Sequence, residues 1–174
     1  MELDRLPVVE TAVRVVLVEQ LLDEDYPDGG LYYWKSIELD RLSSEVIDLL
    51  IAHADAAPSG ESTVDVWVHG GAMVRVPADA TAFGPRAAIL LGYEANFEDA
   101  ADRDANVAWV RDAIDELRPH STGGAYLNFP GFFEEGTELL EASYGAENYA
   151  RLVALKTQYD PDNVFRLNGN IRPN

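Results

Sequence analysis

The sequence predicts an α+β fold, an antiparallel β-sheet with helices packed mainly on one face. Three observations carry this. Strand-like and helix-like segments alternate irregularly, the strand-like pieces are hairpin-like, and no internal repeat or low-complexity tract interrupts them. With 174 residues, 47% of them hydrophobic, the chain can bury one sizeable core, so residues 1–174 are expected to form a single domain.

In chain order, Pro7 suits a first helical turn, and Val9, Ala12, Val13, Val16, Leu17 and Leu21 follow at helical spacing. That helix should end near Asp25, before the turn Tyr26-Pro27-Asp28-Gly29-Gly30. Leu31 to Leu39, rich in aromatics, reads as a strand. Ser43 or Ser44 then caps a helix that buries Val46, Ile47, Leu49, Leu50 and Ala54. Thr63 to His69 alternates, with Val64, Val66 and Val68 facing one way and Asp65, Trp67 and His69 the other. Gly70-Gly71 breaks that strand, Met73 to Val76 reads as a short extended piece, and a Pro77 to Pro85 loop follows.

Ala87 to Phe97 is the next strand. A helix opening near Asp99 carries the apolar stripe Val107, Trp109, Val110, Ala113, Ile114 and Leu117, and Arg118-Pro119 ends it. Ala125 to Phe129 is predicted as a short strand. Helices follow around Glu134–Ser143 and Glu147–Gln158, then an irregular tail with a turn at Asp160-Pro161-Asp162-Asn163.

Composition excludes several functions. There is no cysteine, so disulfides, thiolate metal sites, thiol nucleophiles and a cysteinyl flavin bond within this chain are ruled out. Asp plus Glu number 31 against 13 Lys plus Arg, a formal net charge of -18, and that field opposes nucleic-acid binding. The acids are spread along the whole chain and the basic residues are nearly all arginine, a pattern suited to high salt. No apolar run approaches the ~20 residues of a membrane span, and the start lacks the marks of a secretory signal, so a cytoplasmic protein is expected.

GxGxxG before a helix, the P-loop, GxSxG and HExxH are missing. His53, His69 and His120 are scattered, so no metal site is expected; His53, near a helix end, suits a structural role. On a strand, Tyr126 and Asn128 would share a face, where a phenol and an amide can accept a proton and hold a polar ring edge, or simply mark an amphipathic boundary. Glu94 shares its strand face with Gly92 and Asn96, as a base or as a solvent-side carboxylate. Asn168-Gly169-Asn170 permits positive φ and close backbone approach, for binding or for a turn. Arg75 and Arg86 could fix an anion or pair with local acids.

Taken together, these residues resemble the berberine bridge enzyme-like FAD-linked oxidases. Tyr32-Tyr33-Trp34-Lys35-Ser36 is similar to the family's YYWKS segment. Gly70-Gly71-Ala72 through Arg75-Val76-Pro77, Thr81-Ala82-Phe83 through Arg86, and Gly124-Ala125-Tyr126-Leu127-Asn128-Phe129 match further stretches in order. Tyr159-Asp160-Pro161 and Asn163-Val164-Phe165-Arg166-Leu167-Asn168 close the match, which runs from about residue 20 to the end.

The resemblance implies a two-domain flavoprotein. One domain binds FAD; the other, an antiparallel sheet backed by helices, covers the flavin and carries the substrate. It maps a proton-abstracting role onto Tyr126 and places Asn128 by the flavin or behind the tyrosine, with Asn168 and Asn170 beside the cofactor. A polar or acidic position of the family falls on Gly92 or Glu94, and Pro85 stands where the family often has histidine. The flavin-binding domain and its attachment histidine have no counterpart here. The expectation is therefore a chain that by itself holds no stoichiometric FAD. It would act on a small-molecule substrate with a separate FAD-binding chain, or stand alone as a noncatalytic module. A homo-oligomer is also expected, through the sheet edge of Leu31 to Leu39.

Overall fold

The computed structural model describes residues 26–84 and 86–174. The helix expected between Val8 and Leu22, and Pro85, lie outside the described residues. The chain divides after Gly30, and the architecture below is that of Leu31–Asn174.

Three strands, β1 (Leu31–Leu39), β2 (Thr63–Val68) and β3 (Ile89–Phe97), form one sheet in the order β1-β3-β2, antiparallel throughout. The helices are α1 (Ser44–Asp55), α2 (Arg103–Leu117), α3 (Thr137–Tyr144) and α4 (Ala146–Tyr159). This is the α+β arrangement that the sequence predicts.

Register separates the two faces. Leu31, Tyr33, Lys35, Ile37 and Leu39 of β1 lie opposite Phe97, Ala95, Tyr93, Leu91 and Ile89, and Val64, Val66 and Val68 continue these rows on β2. This face packs on α2, whose Val107, Trp109, Val110, Ala113, Ile114 and Leu117 are all buried, as the apolar stripe requires. Ser43 is the cap of α1, accepting a hydrogen bond from Val46 N at 3.2 Å. His53, near the end of α1, is buried. It bonds the Tyr93 hydroxyl at 2.7 Å and Glu116 at 3.2 Å, while its carbonyl accepts from Trp109 Nε1 at 2.9 Å. Its role in the described structure is to tie α1, β3 and α2 together. Burial first, then the Glu116 charge, raises the Tyr93 hydroxyl pKa.

Three local expectations change. Ile47 and Ala54, expected on the buried face of α1, are exposed, and of that stripe only Val46 is fully buried. Met73–Arg75 is a single 3-10 turn, not extended, because Gly71 at φ 55° turns the chain and Met73 N bonds back to Gly70 O at 3.2 Å. Ala125–Phe129 is not a strand. The stretch from Ser121 to Gly131 does run along the outer edge of β1: Thr122 N donates to Glu38 O at 2.9 Å, Glu38 N to Gly124 O at 3.0 Å, and Gly131 N to Trp34 O at 2.7 Å. Between these, the Ser36 hydroxyl replaces a ladder partner, accepting from Tyr126 N at 2.8 Å and donating to Tyr126 O at 3.1 Å. Phe129 N closes a turn on Tyr126 O at 2.9 Å, and Pro130 has no N–H to give. The β1 edge expected to be bare is thus covered by the chain itself.

The 130–136 loop is clamped at the same edge. Glu134 accepts from the Tyr33 hydroxyl and from Arg111 Nη2 at 2.8 Å, and Lys35 Nζ reaches Glu135 at 2.5 Å. Burial pushes the Glu134 carboxyl up, but the Tyr33 and Arg111 hydrogen bonds and the Lys35 charge outweigh it and hold the group at about 2.

Candidate functional site

The second face of the sheet carries the chemistry. Its rows, read from β1 through β3 to β2, are Glu38-Leu90-Trp67, Ser36-Gly92-Asp65 and Trp34-Glu94-Thr63. Alternation along β3 is enough to put Gly92, Glu94 and Asn96 here, as the sequence indicates. Asn96 is used structurally: its Oδ1 accepts from Trp34 Nε1 at 2.7 Å and its Nδ2 donates to Glu61 O at 3.0 Å.

Gly92 makes room for the ring of Phe129. A Cβ there would stand 3.5 Å from that ring, 3.6 Å from Asp65 Cβ and 3.6 Å from Glu94 Oε1. Phe129 lies edge-on to Trp34 at 5.3 Å, to Trp67 at 6.4 Å and to Tyr126 at 5.3 Å between centroids. Glu94, buried at 2% exposure, therefore borders with Phe129 the space over Gly92, and Tyr126 stands at the edge of that same ring. The two alternatives for the polar strand position share this face, and Glu94 is the one bearing a carboxylate.

Tyr126 and Asn128 do meet, but through a turn and not a strand face. Asn128 Nδ2 donates to the Tyr126 hydroxyl oxygen at 2.7 Å, which leaves the phenol's own proton free to point elsewhere. Asn128 also lines a cavity of about 440 Å³ with Leu127, Pro130, Phe133, Leu140 and Asn168. Asn168 has φ 58°, the left-handed conformation that its residue type tolerates. Gly169 is pressed on α3, where a Cβ would come within 2.9 Å of Leu140 and 3.1 Å of Phe133. Asn170 does not line the cavity; its Oδ1 is buried without a hydrogen-bond partner.

The structure therefore joins Tyr126, Asn128 and Asn168 in one neighbourhood, with Glu94 reached across Phe129. Phe129 and Asp65 were not singled out as site residues from sequence; the signal available was the aromatic that ends the Tyr126 segment and the strand parity that puts Asp65 opposite Gly92. Arg75 is exposed, and Arg86 bonds Thr81 at 3.3 Å and lies over Phe83, so neither is aimed at this cavity.

The polar lining fits part of a flavin. The amides of Asn128 and Asn168 suit the polar edge of an isoalloxazine ring, whereas the cavity lining among the described residues offers no cation for a pyrophosphate. Among the described residues no group of three or more His, Cys, Asp or Glu side chains could hold a metal ion. Among them, too, no helix is long and apolar enough to cross a membrane.

Residues 125–172 match the family profile "Berberine and berberine like". The chain is 32% identical over 158 residues to the FAD-linked oxidoreductase YvdP of Bacillus subtilis, covering 87% of this chain and 34% of that protein. It is 38% identical over 120 residues to berberine bridge enzyme-like 17 of Arabidopsis thaliana, covering 60% of this chain and 23% of that protein. Berberine bridge enzyme from Eschscholzia californica superposes with a TM-score of 0.73 at 20% identity, over 84% of this chain and 34% of that one. The fold is that of berberine bridge enzyme, and the relatives matched include proteins named as FAD-linked oxidoreductases. The chain belongs to the berberine bridge enzyme-like family. It spans about a third of the length of the curated relatives it matches.

Proposed function

We propose that this chain is the substrate-binding portion of a flavin-dependent oxidoreductase that oxidises a sugar-like or small alcohol substrate. The observation that carries the reading is the Asn128–Tyr126 hydrogen bond of 2.7 Å beside the cavity that Asn128 and Asn168 share. FAD, when bound, would accept the hydride. Tyr126, as the phenolate left once its own proton has passed to solvent, takes the hydroxyl proton; the Asn128 amide N–H steadies its oxygen, and Glu94 orients the substrate from the buried sheet face. Asn128 and Asn168 would hold polar edges of the cofactor, whereas Asn170, expected there from the resemblance, stands outside the cavity.

The phosphate-binding contacts come from a flavin-binding part or partner chain. A surface for it is the loop after α4, where Val164, Phe165 and Leu167 are 68–86% exposed. That loop is held rigidly: Asp160 accepts from Val164 N at 2.7 Å and Phe165 N at 3.1 Å, and Lys156 bonds both Asp160 and Phe165 O. The chain is read as cytoplasmic, and by itself as holding no stoichiometric FAD and turning over no substrate.

Mixing the purified chain with a flavin-loaded FAD-binding part of a relative, then assaying hexoses and small alcohols, tests this. Turnover dependent on both components supports the reading; full flavin content and turnover of the chain alone would overturn its division of labour. A second reading, a noncatalytic self-associating module, is favoured by β2, where Val66, Trp67 and Val68 are exposed at 43%, 45% and 73%. Absence of turnover together with a stable dimer would select it.

A further inference from the structure

Glu38 is an acid placed where neither the strand pattern nor the proposed chemistry needs one. It is 6% exposed, on the same face of β1 as Ser36 and Trp34. A Cβ on Gly124 would meet Glu38 Oε2 at 2.4 Å, so the carboxyl fills the space that only a glycine leaves in the covering segment. The backbone on both sides belongs to the same latch. Ser121 Oγ and Thr122 Oγ1 each donate to Glu38 O at 3.2 Å, Thr122 N donates to it at 2.9 Å, and Glu38 N donates to Gly124 O at 3.0 Å. Two residues along from this contact on either side, the Ser36 hydroxyl accepts from Tyr126 N at 2.8 Å and donates to Tyr126 O at 3.1 Å.

We propose that Glu38 is a positioning residue for Tyr126: its carboxyl, wedged between β1 and Gly124, seats the 121–126 segment on the sheet when neutral and loosens it when ionised. Among the described residues no cation is paired with its carboxyl. On β3 it pairs with Leu90, with Trp67 beyond on β2, and the next acids on this face are Asp65 and Glu94, one and two rows along. The covering segment carries no charged residue from Ser121 to Tyr126; before it come Arg118, which pairs with Asp115 at 2.7 Å, and His120, and β1 is followed by Asp40 and Arg41. Lys35 lies on the opposite face and is taken by Glu134 and Glu135.

Burial by itself pushes the Glu38 carboxyl up to about 7. An acid raised by folding favours the native contact when protonated. Its contribution is whole below about 4.5, the ordinary value, and is lost as pH rises through about 7. A neutral carboxyl tolerates the Gly124 backbone at close range; a carboxylate there has no donor and gains by turning to water.

The proposal rests on the reading of Tyr126 as the base only for its catalytic consequence. Its test needs no flavin, so it can fail while that reading stands. Hydrogen–deuterium exchange on the full chain, expressed as protection relative to unfolded peptide at each pH, follows the amides of 121–126 against those of β3. Between about pH 5.5 and about pH 8.5, protection of 121–126 should fall by roughly tenfold while β3 stays constant. In Glu38→Gln the profile should be flat. Gly124→Ala, which displaces the carboxyl toward water, should move the midpoint to lower pH. A flat profile in the wild type, the wild-type fall persisting in Glu38→Gln, or an unmoved midpoint in Gly124→Ala would each overturn the proposal.

Discussion

The two faces of β3 are equally inaccessible, with all nine residues from Ile89 to Phe97 buried, yet they are built for different purposes. Toward α2 the strand presents Ile89, Leu91, Tyr93, Ala95 and Phe97, which interlock with a helix stripe of the same character. Toward the Tyr126 segment it presents Leu90, Gly92, Glu94 and Asn96, a series with a missing side chain, a carboxylate and an amide. Burial therefore does not separate core from site in this domain. The difference lies in what each face asks of its partner: one excludes water through shape, the other keeps polar groups buried beside aromatic rings, with Asn96 paired to Trp34 and Glu61.

The predictions sharpen or break that division. The largest effect belongs to the second face. In an assembled flavin-loaded enzyme, Tyr126→Phe should lower the turnover rate by about 10²–10⁴-fold while leaving the melting temperature within error. A parallel loss of stability would show that the Tyr126 segment belongs to the core after all. Next is Leu91→Ala, which empties a site of 0% exposure under α2 and should cost about 2–5 kcal/mol in chemical denaturation. Substrate affinity of the folded fraction should be unchanged, since Leu91 faces away from Phe129.

Glu134 tests whether the division holds at the edge of the sheet, where Tyr33 and Lys35 break the apolar run of β1 with polar contacts. Glu134 is partly open to solvent, so Glu134→Gln should cost only about 1 kcal/mol. Because its pKa is held at about 2, its contribution is full above the ordinary 4.5 and fades as pH falls toward 2. Wild type and variant should therefore converge in stability across that acid window; a gap that persists at low pH would locate the effect in packing. The smallest expected effect is Gly92→Ala. The added methyl meets Phe129, Asp65 and Glu94 at ordinary contact distance, and stability should change by less than about 1 kcal/mol. A larger loss would mean that Phe129 is wedged on the sheet as tightly as any residue of the opposite face.

Self-association bears on the free edge. With β1 covered by Ser121–Gly131, β2 and the Val164–Leu167 loop are among the exposed apolar surfaces of the described residues open to a dimer. Light scattering at low and at molar salt should show association rising with salt as the charge of -18 is screened. A monomer at both, at tens of micromolar, would leave those surfaces to a flavin-binding partner.

Much of this was legible in the chain. Leu31–Leu39 reads as a strand to the residue, the stripe from Val107 to Leu117 is the buried stripe of α2, and period-two alternation places Val64, Val66 and Val68 apart from Asp65 and Trp67. These features are local: a helix or strand of that periodicity has one apolar face whatever it packs against. The family, too, is recorded in short contiguous motifs. What the sequence could not settle was everything decided by contacts between distant segments. A run such as Ala125–Phe129 has strand composition, but Ser36, 90 residues away, takes the hydrogen bonds that a ladder would need, so it becomes an edge cover ending in a turn. In the same way, Glu38 becomes a buried near-neutral acid only because Gly124 is laid across it. Periodicity fixes which way a side chain points. Only the fold decides what it meets there, because solvation, hydrogen-bond satisfaction and pKa depend on neighbours that the chain brings together from far apart.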